Sequence, residues 1–496
     1  MYISRAVVFI SVLIFTVNAQ TIRLPISRQR RADPMISAIQ KRNAGLTKRD
    51  PFLASLYNDQ GSQYLVEVSV GTPAQTFAVT LDTGSADLWI PGSSCPTSEC
   101  PNGVFNEASS STFKNLNKLF TLTYGIGSVN GTYVTDSVSI SGGTVQNQQF
   151  GLASDTKQIL TNPNTISASQ IANTSNKNIK QLAATKDTSP KANGILGLGF
   201  PKLTAASSKG QGVYNPFVFN LAQQNLIADP IFSIYTNSAS KTGWVGEIIF
   251  GGVDESKYTG NITYMPVVSL SSTKTSSSTN KKRALDVISG SNYYWMVNGQ
   301  GVSVQDSEDS SRNLDLKFSS PGAFILDTGT TLTYLPTAMA QQVLVAAVGA
   351  NGYTTDTSSG TYLVDCQAVS TTTQFVLDMS VSSAADAAPI TLSVPMSQLF
   401  IPLDSTSIET ATQCLFGIAP SDSVGVGSNM YLIGDSVLRS AYMVFDMANN
   451  RVGIATAVGA TGSSVDGVSA PLDSSALKAT PSLYLTVVLL LAVFTL

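Results

Sequence analysis

Residues 77–92 read Phe-Ala-Val-Thr-Leu-Asp-Thr-Gly-Ser-Ala-Asp-Leu-Trp-Ile-Pro-Gly, and residues 324–337 read Phe-Ile-Leu-Asp-Thr-Gly-Thr-Thr-Leu-Thr-Tyr-Leu-Pro-Thr. Each holds an apolar run, then Asp-Thr-Gly followed by a hydroxyl residue, then an aromatic residue, an aliphatic one and a proline. The two aspartates, Asp82 and Asp327, stand 245 positions apart. A second pattern repeats behind them. Gly194-Ile195-Leu196-Gly197 ends 115 positions after Asp82, and Tyr431-Leu432-Ile433-Gly434 ends 107 positions after Asp327. A lone Asp-Thr-Gly is most often a plain turn. Two copies, each trailed by the same apolar-Gly run at a matching distance, describe a duplicated lobe that supplies one aspartate per half.

Working outward, the local pattern is β. Tyr64, Val66, Val68 and Val70 alternate with Leu65, Glu67 and Ser69 before Gly71-Thr72-Pro73 turns the chain. Gly246 to Gly252 reads as a strand ending in a glycine turn. Helical signals are brief, at Pro216 to Gln224, Met339 to Val348 and Asp435 to Ser440. Residues 269–279 hold nine Ser or Thr in eleven, followed by Lys281-Lys282-Arg283, which reads as a surface insertion open to processing or simply solvated. The expected fold is all-β, mostly antiparallel, with a cleft between two homologous lobes.

The chain has 496 residues and no histidine. That absence excludes Ser-His-Asp and Cys-His catalysis and the usual His-ligated zinc sites. Acid–base chemistry falls to Asp, Glu, Tyr or Lys, with no metal and no cofactor expected. Charged residues make up 12% of the chain, against about 25% in typical domains, and Ser, Thr and Gly are abundant. This composition fits a secreted β protein. Four cysteines, Cys95, Cys100, Cys366 and Cys414, allow three pairings; local pairing would give two disulfides and leave no thiol nucleophile.

The ends carry targeting signals. Residues 1–19 combine Arg5, an apolar run and Val17-Asn18-Ala19, the features of a signal peptide. Residues 1–49 hold nine basic residues and one acid, leaving 20 basic and 31 acidic residues downstream, so a +8 leader precedes a −11 body. Residues 20–49 therefore read as a basic pro-segment, with Lys48-Arg49 as its processing site. A nucleic-acid-binding arm is the poorer reading behind a signal peptide. The expected lobes are 50–240, with Asp82, and 241–457, with Asp327. Residues 458–482 form a Gly/Ser/Ala-rich stalk with a candidate attachment site. The apolar tail 483–496 is too short to span a bilayer, which needs roughly 20 residues, and reads as a GPI-attachment signal. Asn130, Asn173 and Asn261 begin Asn-x-Ser/Thr sequons and are glycan candidates. These signals lead us to expect a chain at the cell surface or cell wall or outside the cell, touching membrane only through that anchor, and a monomer is expected.

Two Asp-Thr-Gly turns brought face to face would place like charges about 3 Å apart, where one proton is shared rather than both groups ionised. The ionised member can take a proton from water while the protonated member donates to a carbonyl. Gly84 and Gly329 permit close approach of backbone N–H groups. Thr83 and Thr328 can cross-bond the lobes, and Ser85 and Thr330 can hydrogen-bond the outer carboxylate oxygens.

These motifs resemble the pepsin family of aspartic peptidases over roughly residues 60–457. Tyr124-Gly125-Ile126-Gly127-Ser128 is similar to that family's flap, with Tyr124 as the flap tyrosine hydrogen-bonded to Trp89. Gly251-Gly252-Val253-Asp254, Tyr294-Trp295 and Val444 to Gly453 are similar to its later segments. The resemblance implies a secreted acid endopeptidase made as a zymogen, acting on protein or peptide substrates. It also implies disulfides Cys95–Cys100 and Cys366–Cys414. The leader, stalk and tail resemble the fungal cell-surface, yapsin-like members, which cleave beside basic residues. Ile126 stands where an acidic flap residue would serve that preference, so broad apolar cleavage stands beside it as an alternative. A catalytically silent binding relative would show damage at the dyad, its threonines or the flap tyrosine. A cell-wall scaffold would account for the stalk but not for the duplicated turns.

Overall fold

The computed structural model describes residues 22–29, 63–125, 127–160, 191–227, 229–236, 243–271, 286–287, 292–357, 359–382, 387–405, 407–423 and 429–467. The signal peptide, Lys48-Arg49, Ile126, Asn173, Lys281 to Arg283 and residues 468–496 of the stalk and tail lie outside the described residues.

Strands Gln63–Val70 and Gln75–Asp82 pair antiparallel around the expected turn. Tyr64, Val66, Val68 and Val70 are buried and Glu67 is exposed, as the period-2 pleat requires. Leu65 is buried too, because this strand has packing on both faces. The strand ending at Asp82 then runs parallel to Ile195–Gly197, with Asp82 opposite Gly197. Leu88–Pro91 returns antiparallel to the same short strand. The other half repeats this. Leu314–Leu326 runs parallel to Met430–Ile433, with Leu326 opposite Ile433, and Thr333–Leu335 returns beside Met430–Ile433. The two repeated sequence patterns are therefore neighbours in each half.

Thirteen strands form one sheet that draws on both halves. Its middle runs Arg451–Ala457, Ala441–Asp446, Ile231–Tyr235, Gly243–Phe250, Ile22–Gln29 and Gln63–Val70. Eight strands around Leu314–Leu326 form a second sheet, and Tyr353–Thr355, Tyr362–Asp365, Gln413–Phe416 and Phe400–Pro402 a smaller one. Most pairings are antiparallel. An aromatic seam fills the space beneath: Phe232 stacks on Phe445 at 4.7 Å, and Trp295 packs on Phe200 at 4.3 Å. Trp295 Nε1 donates to the Leu198 carbonyl at 2.9 Å, joining the halves behind the dyad turns.

Helices are few and short, as expected. Phe217–Gln223 and Thr337–Val348 each start after a proline at the N-cap, and Asp435–Leu438 follows Gly434. Ala205–Ser208, absent from the sequence reading, is held by the Thr204 side chain, which accepts from Ser207 N. Four residues are too few to show helical periodicity. Both disulfides are formed, Cys95–Cys100 and Cys366–Cys414.

Two segments differ from the expected boundaries. Folded structure runs past residue 457 to Gly467, because Ser464–Asp466 pairs with Ile390–Pro395 and Val465 packs against the core. The leader is partly built into the body: Ile22–Gln29 pairs with Gly243–Phe250 and with Gln63 to Leu65. Among the described residues no helix is long and apolar enough to cross a membrane.

Candidate active site

Each Asp-Thr-Gly turn cradles its own carboxylate with two donors. Gly84 N–H donates to Asp82 Oδ1 at 2.8 Å and the Ser85 hydroxyl to Asp82 Oδ2 at 2.6 Å. Gly329 N–H donates to Asp327 Oδ1 at 2.8 Å and the Thr330 hydroxyl to Asp327 Oδ2 at 2.7 Å. The halves then lock across the site. Thr328 N–H donates to Thr83 Oγ1 at 3.0 Å, and Thr83 N–H to Thr328 Oγ1 at 3.3 Å. Both hydroxyls donate onward to the opposite lobe, Thr83 to the Leu326 carbonyl at 2.7 Å and Thr328 to the Leu81 carbonyl at 3.3 Å. Four buried bonds thus fix how far apart the two aspartates sit. The glycines are required by space. A Cβ on Gly84 would lie 2.5 Å from Asp327 Cγ, and one on Gly329 would run into Asp82 Oδ1.

Asp82 and Asp327 are each only 6% exposed. Burial raises Asp82, against the hydrogen bonds from Ser85 and Gly84 that lower it. Burial, then the Asp82 charge, pushes Asp327 up to about 8. The carboxyls lie within hydrogen-bonding reach of each other, so the proton belongs to the pair. Between them they can accept a proton and donate one in the same step.

These shifts set a stability profile. Asp82, Asp327 and the buried Asp87 all titrate above 3.8 when folded. Between that ordinary value and their raised values, the folded chain binds more protons than the unfolded one, so stability falls as pH rises. Asp306 works oppositely. Hydrogen bonds from Thr373, Glu308 N–H and Asp309 N–H hold it well below the usual range, and its contribution is lost only in stronger acid. The thermal unfolding midpoint should therefore peak near pH ~4, fall progressively toward pH ~8, and fall less in Asp327→Asn. Equal midpoints at pH 4 and pH 8 in the unsubstituted chain would contradict this.

Lys114–Tyr124 and Gly127–Ile140 form a hairpin with Tyr124 opposite Gly127 and a two-residue tip that includes Gly125. Trp89 Nε1 donates to the Tyr124 hydroxyl at 3.0 Å. Beneath it lies an apolar cluster containing Trp89, Phe120, Tyr133, Ile159, Leu160 and Ile195. Asn261 is exposed, whereas Asn130 Nδ2 donates to Asp155 Oδ1 at 2.8 Å. Among the described residues no group of three His, Cys, Asp or Glu could hold a metal. Two groups escaped the sequence reading. Tyr294 faces the dyad closely enough for Asp327 and Asp82 to raise it, after burial. Asp87 is buried among tyrosine hydroxyls. Asp87 lies within residues 77–92, but an aspartate in a turn carries no mark of what it will meet.

The family model described as eukaryotic aspartyl protease matches residues 63–457. Mucorpepsin of Rhizomucor miehei is 32% identical over 405 residues, covering 80% of this chain and 79% of that protein. Cathepsin E of Mus musculus is 30% identical over 405 residues, covering 81% and 82%. Secreted aspartic protease 3 of Candida albicans is 30% identical over 432 residues, covering 84% and 85%.

Proposed function

The chain belongs to the eukaryotic aspartyl protease family, and from that premise we propose that it is a secreted acid endopeptidase, made with a removable leader, in which Asp82 and Asp327 activate water. The observation that carries this is the mirrored pair of cradles, in which two buried carboxyls with raised proton affinity are locked together by Thr83 and Thr328. With one proton on the pair, the ionised carboxylate takes a proton from a water. The resulting hydroxide oxygen bonds to the peptide carbonyl carbon. The protonated carboxyl gives its proton to the carbonyl oxygen, leaving a neutral tetrahedral diol. The nitrogen takes a proton from the carboxyl that had received the water proton, and the C–N bond breaks as one diol hydroxyl gives its proton to the other carboxylate and re-forms the C–O double bond, which leaves the pair with one proton. Tyr124 and Trp89 close the site from the hairpin side.

Ile126, standing where an acidic flap residue would serve a basic preference, supports cleavage beside apolar side chains over basic ones. The leader reading is supported by the pairing of Ile22–Gln29 between strands of the body, and by the opposite charges of leader and body. At acid pH the body's carboxylates protonate and this attraction weakens. The apolar tail supports surface attachment through a GPI anchor, and the exposed Asn261 is the sequon assigned to a glycan. The secreted relative from Candida albicans fits this location.

N-terminal sequencing of the protein secreted from a eukaryotic host, with peptide cleavage followed at acid pH, tests the reading. The expected mature chain begins at Asp50 and cleaves peptides. It should be inactive while the leader remains. A fully active chain that still begins at Gln20 would contradict the zymogen reading.

A further inference from the structure

Past Ala457, where the family match ends, residues 458–467 stay bound to the body at several points. Val458 N–H donates to the Lys257 carbonyl at 2.9 Å, and the Val458 carbonyl accepts from the Tyr235 hydroxyl at 2.7 Å. Gly459 (φ +85°) and Gly462 (φ +83°) turn the chain in the left-handed region. Val465 N–H donates to Thr456 Oγ1 at 3.0 Å, and the Val465 side chain packs against the core. Ser464–Asp466 pairs antiparallel with Ile390–Pro395, with Val465 opposite Leu392. The segment thus crosses from the thirteen-stranded sheet to the outer side of the eight-stranded one.

What it covers there is a sheet edge. Ile390–Pro395 pairs with Thr373–Ser380 on one side and, among the described residues, with Ser464–Asp466 on the other. It reads Ile-Thr-Leu-Ser-Val-Pro, with Ile390, Leu392 and Val394 buried and no charged residue. A six-residue uncharged edge is a template for pairing with another chain, and natural sheets guard such edges with lysines, bulges or covering segments. Lys114–Tyr124, at one end of the thirteen-stranded sheet, has both Lys114 and Lys118 and a bulge between Asn115 and Lys118. Ile390–Pro395 has no lysine, and its pairing with Thr373–Ser380 has no bulge. Ser464–Asp466 replaces it at the rim with a strand of three residues ending on an exposed aspartate.

We propose that residues 458–467 are a strap that keeps the protein monomeric by occupying this edge, and that the partner it excludes is a second copy of the chain. The strap shows what the edge accepts, which is an antiparallel strand. Antiparallel pairing of Ile390–Pro395 with its own copy is two-fold symmetric, sets no like charges together and closes after two chains. Met296–Asp306 and Thr373–Ser380 lie between this strand and Leu314–Leu326, which leads into Asp327, so the role is independent of peptide cleavage.

The test uses the secreted chain without the apolar tail 483–496, which keeps every described residue. Val465→Glu sets a charge against the core, and Gly462→Val strains the turn and places a Cβ 3.0 Å from Pro395 Cγ; each should lift the strap. Amide hydrogen exchange at residues 390–395 should then quicken by about tenfold or more. Light scattering after size exclusion should give the monomer mass at ~1 μM and about twice that mass at ~100 μM, as a small interface predicts. The unsubstituted chain should stay monomeric over the same range. Ser393→Lys added to Val465→Glu should restore the monomer at ~100 μM, because both copies then bring a lysine to the shared edge. Gly462→Val leaves the Val465 side chain in place and decides the question where Val465→Glu is not secreted. Faster exchange with a monomer at every concentration would show that the bared edge does not pair. Unchanged exchange in both variants would show that the strap does not hold the edge. Either result overturns the proposal, as would a dimer that survives Ser393→Lys or an unsubstituted chain that is already dimeric.

Discussion

Asp82→Asn, and equally Asp327→Asn, should lower kcat/KM for peptide cleavage by about 10³-fold or more while the protein still folds. Asparagine matches aspartate in shape, so the turn and the threonine lock remain. It still accepts from the glycine N–H through its one oxygen. It cannot carry the shared proton, and it cannot take a proton from water. The two cradles are chemically matched, Gly84 and Ser85 on one side and Gly329 and Thr330 on the other, so the two losses should be alike. Either change also removes one buried carboxylate from beside another, so the unfolding midpoint near neutral pH should hold steady or rise. Peptide kinetics beside circular dichroism melts would check both halves. A variant that retains a tenth of the activity would show that the second carboxyl is dispensable.

Gly84→Ala should cost about 100-fold in activity, and about 1–3 kcal/mol of stability, without removing any reacting group. The added methyl would sit 2.5 Å from Asp327 Cγ. Asp327 cannot step back freely, because Gly329 N–H and Thr330 grip both of its oxygens. The opposite turn cannot retreat either, since Thr83 and Thr328 bind each lobe to the other's backbone. The strain must therefore displace a carboxylate, and a displacement of an ångström is enough to spoil the alignment. Gly329→Ala should behave the same way, because its methyl would meet Asp82 Oδ1. Near-normal kinetics in either variant would mean the site tolerates a wider spacing than its hydrogen bonds imply.

Much of this was legible in the sequence, for a physical reason. A duplicated lobe writes its active turn twice, and the apolar-Gly strand packed beside that turn must be written twice as well. The alternation at Tyr64, Val66, Val68 and Val70 was readable because successive side chains of a pleated strand point to opposite faces, a period of two that Leu65, buried on the other face, interrupts. The hydroxyl and glycine positions of the turns could be tied to the carboxylates because they are two or three residues away. What lay far apart in the chain was not readable. Asp87 meets Tyr133 and Tyr214 across separations of 46 and 127 residues. Trp295 reaches the Leu198 carbonyl across 97. The buried bond from the Tyr64 hydroxyl to Asp435 spans 371. No local pattern marks such partners. The end of the folded body was misplaced at residue 457 because Ser464–Asp466 is a three-residue strand inside a Gly/Ser/Ala-rich stretch, where composition says linker and only pairing says strand.

The shared proton is tested most directly by kcat/KM for one peptide measured from about pH 2 to about pH 10 on the mature enzyme. A bell is expected: one limb rises as the pair loses its first proton, and the other falls as it loses its second. The working range between them should hold a single proton on Asp82 and Asp327 together. A rate with no falling limb up to about pH 10 would contradict a dyad that must keep one proton, held to about pH 8, to work.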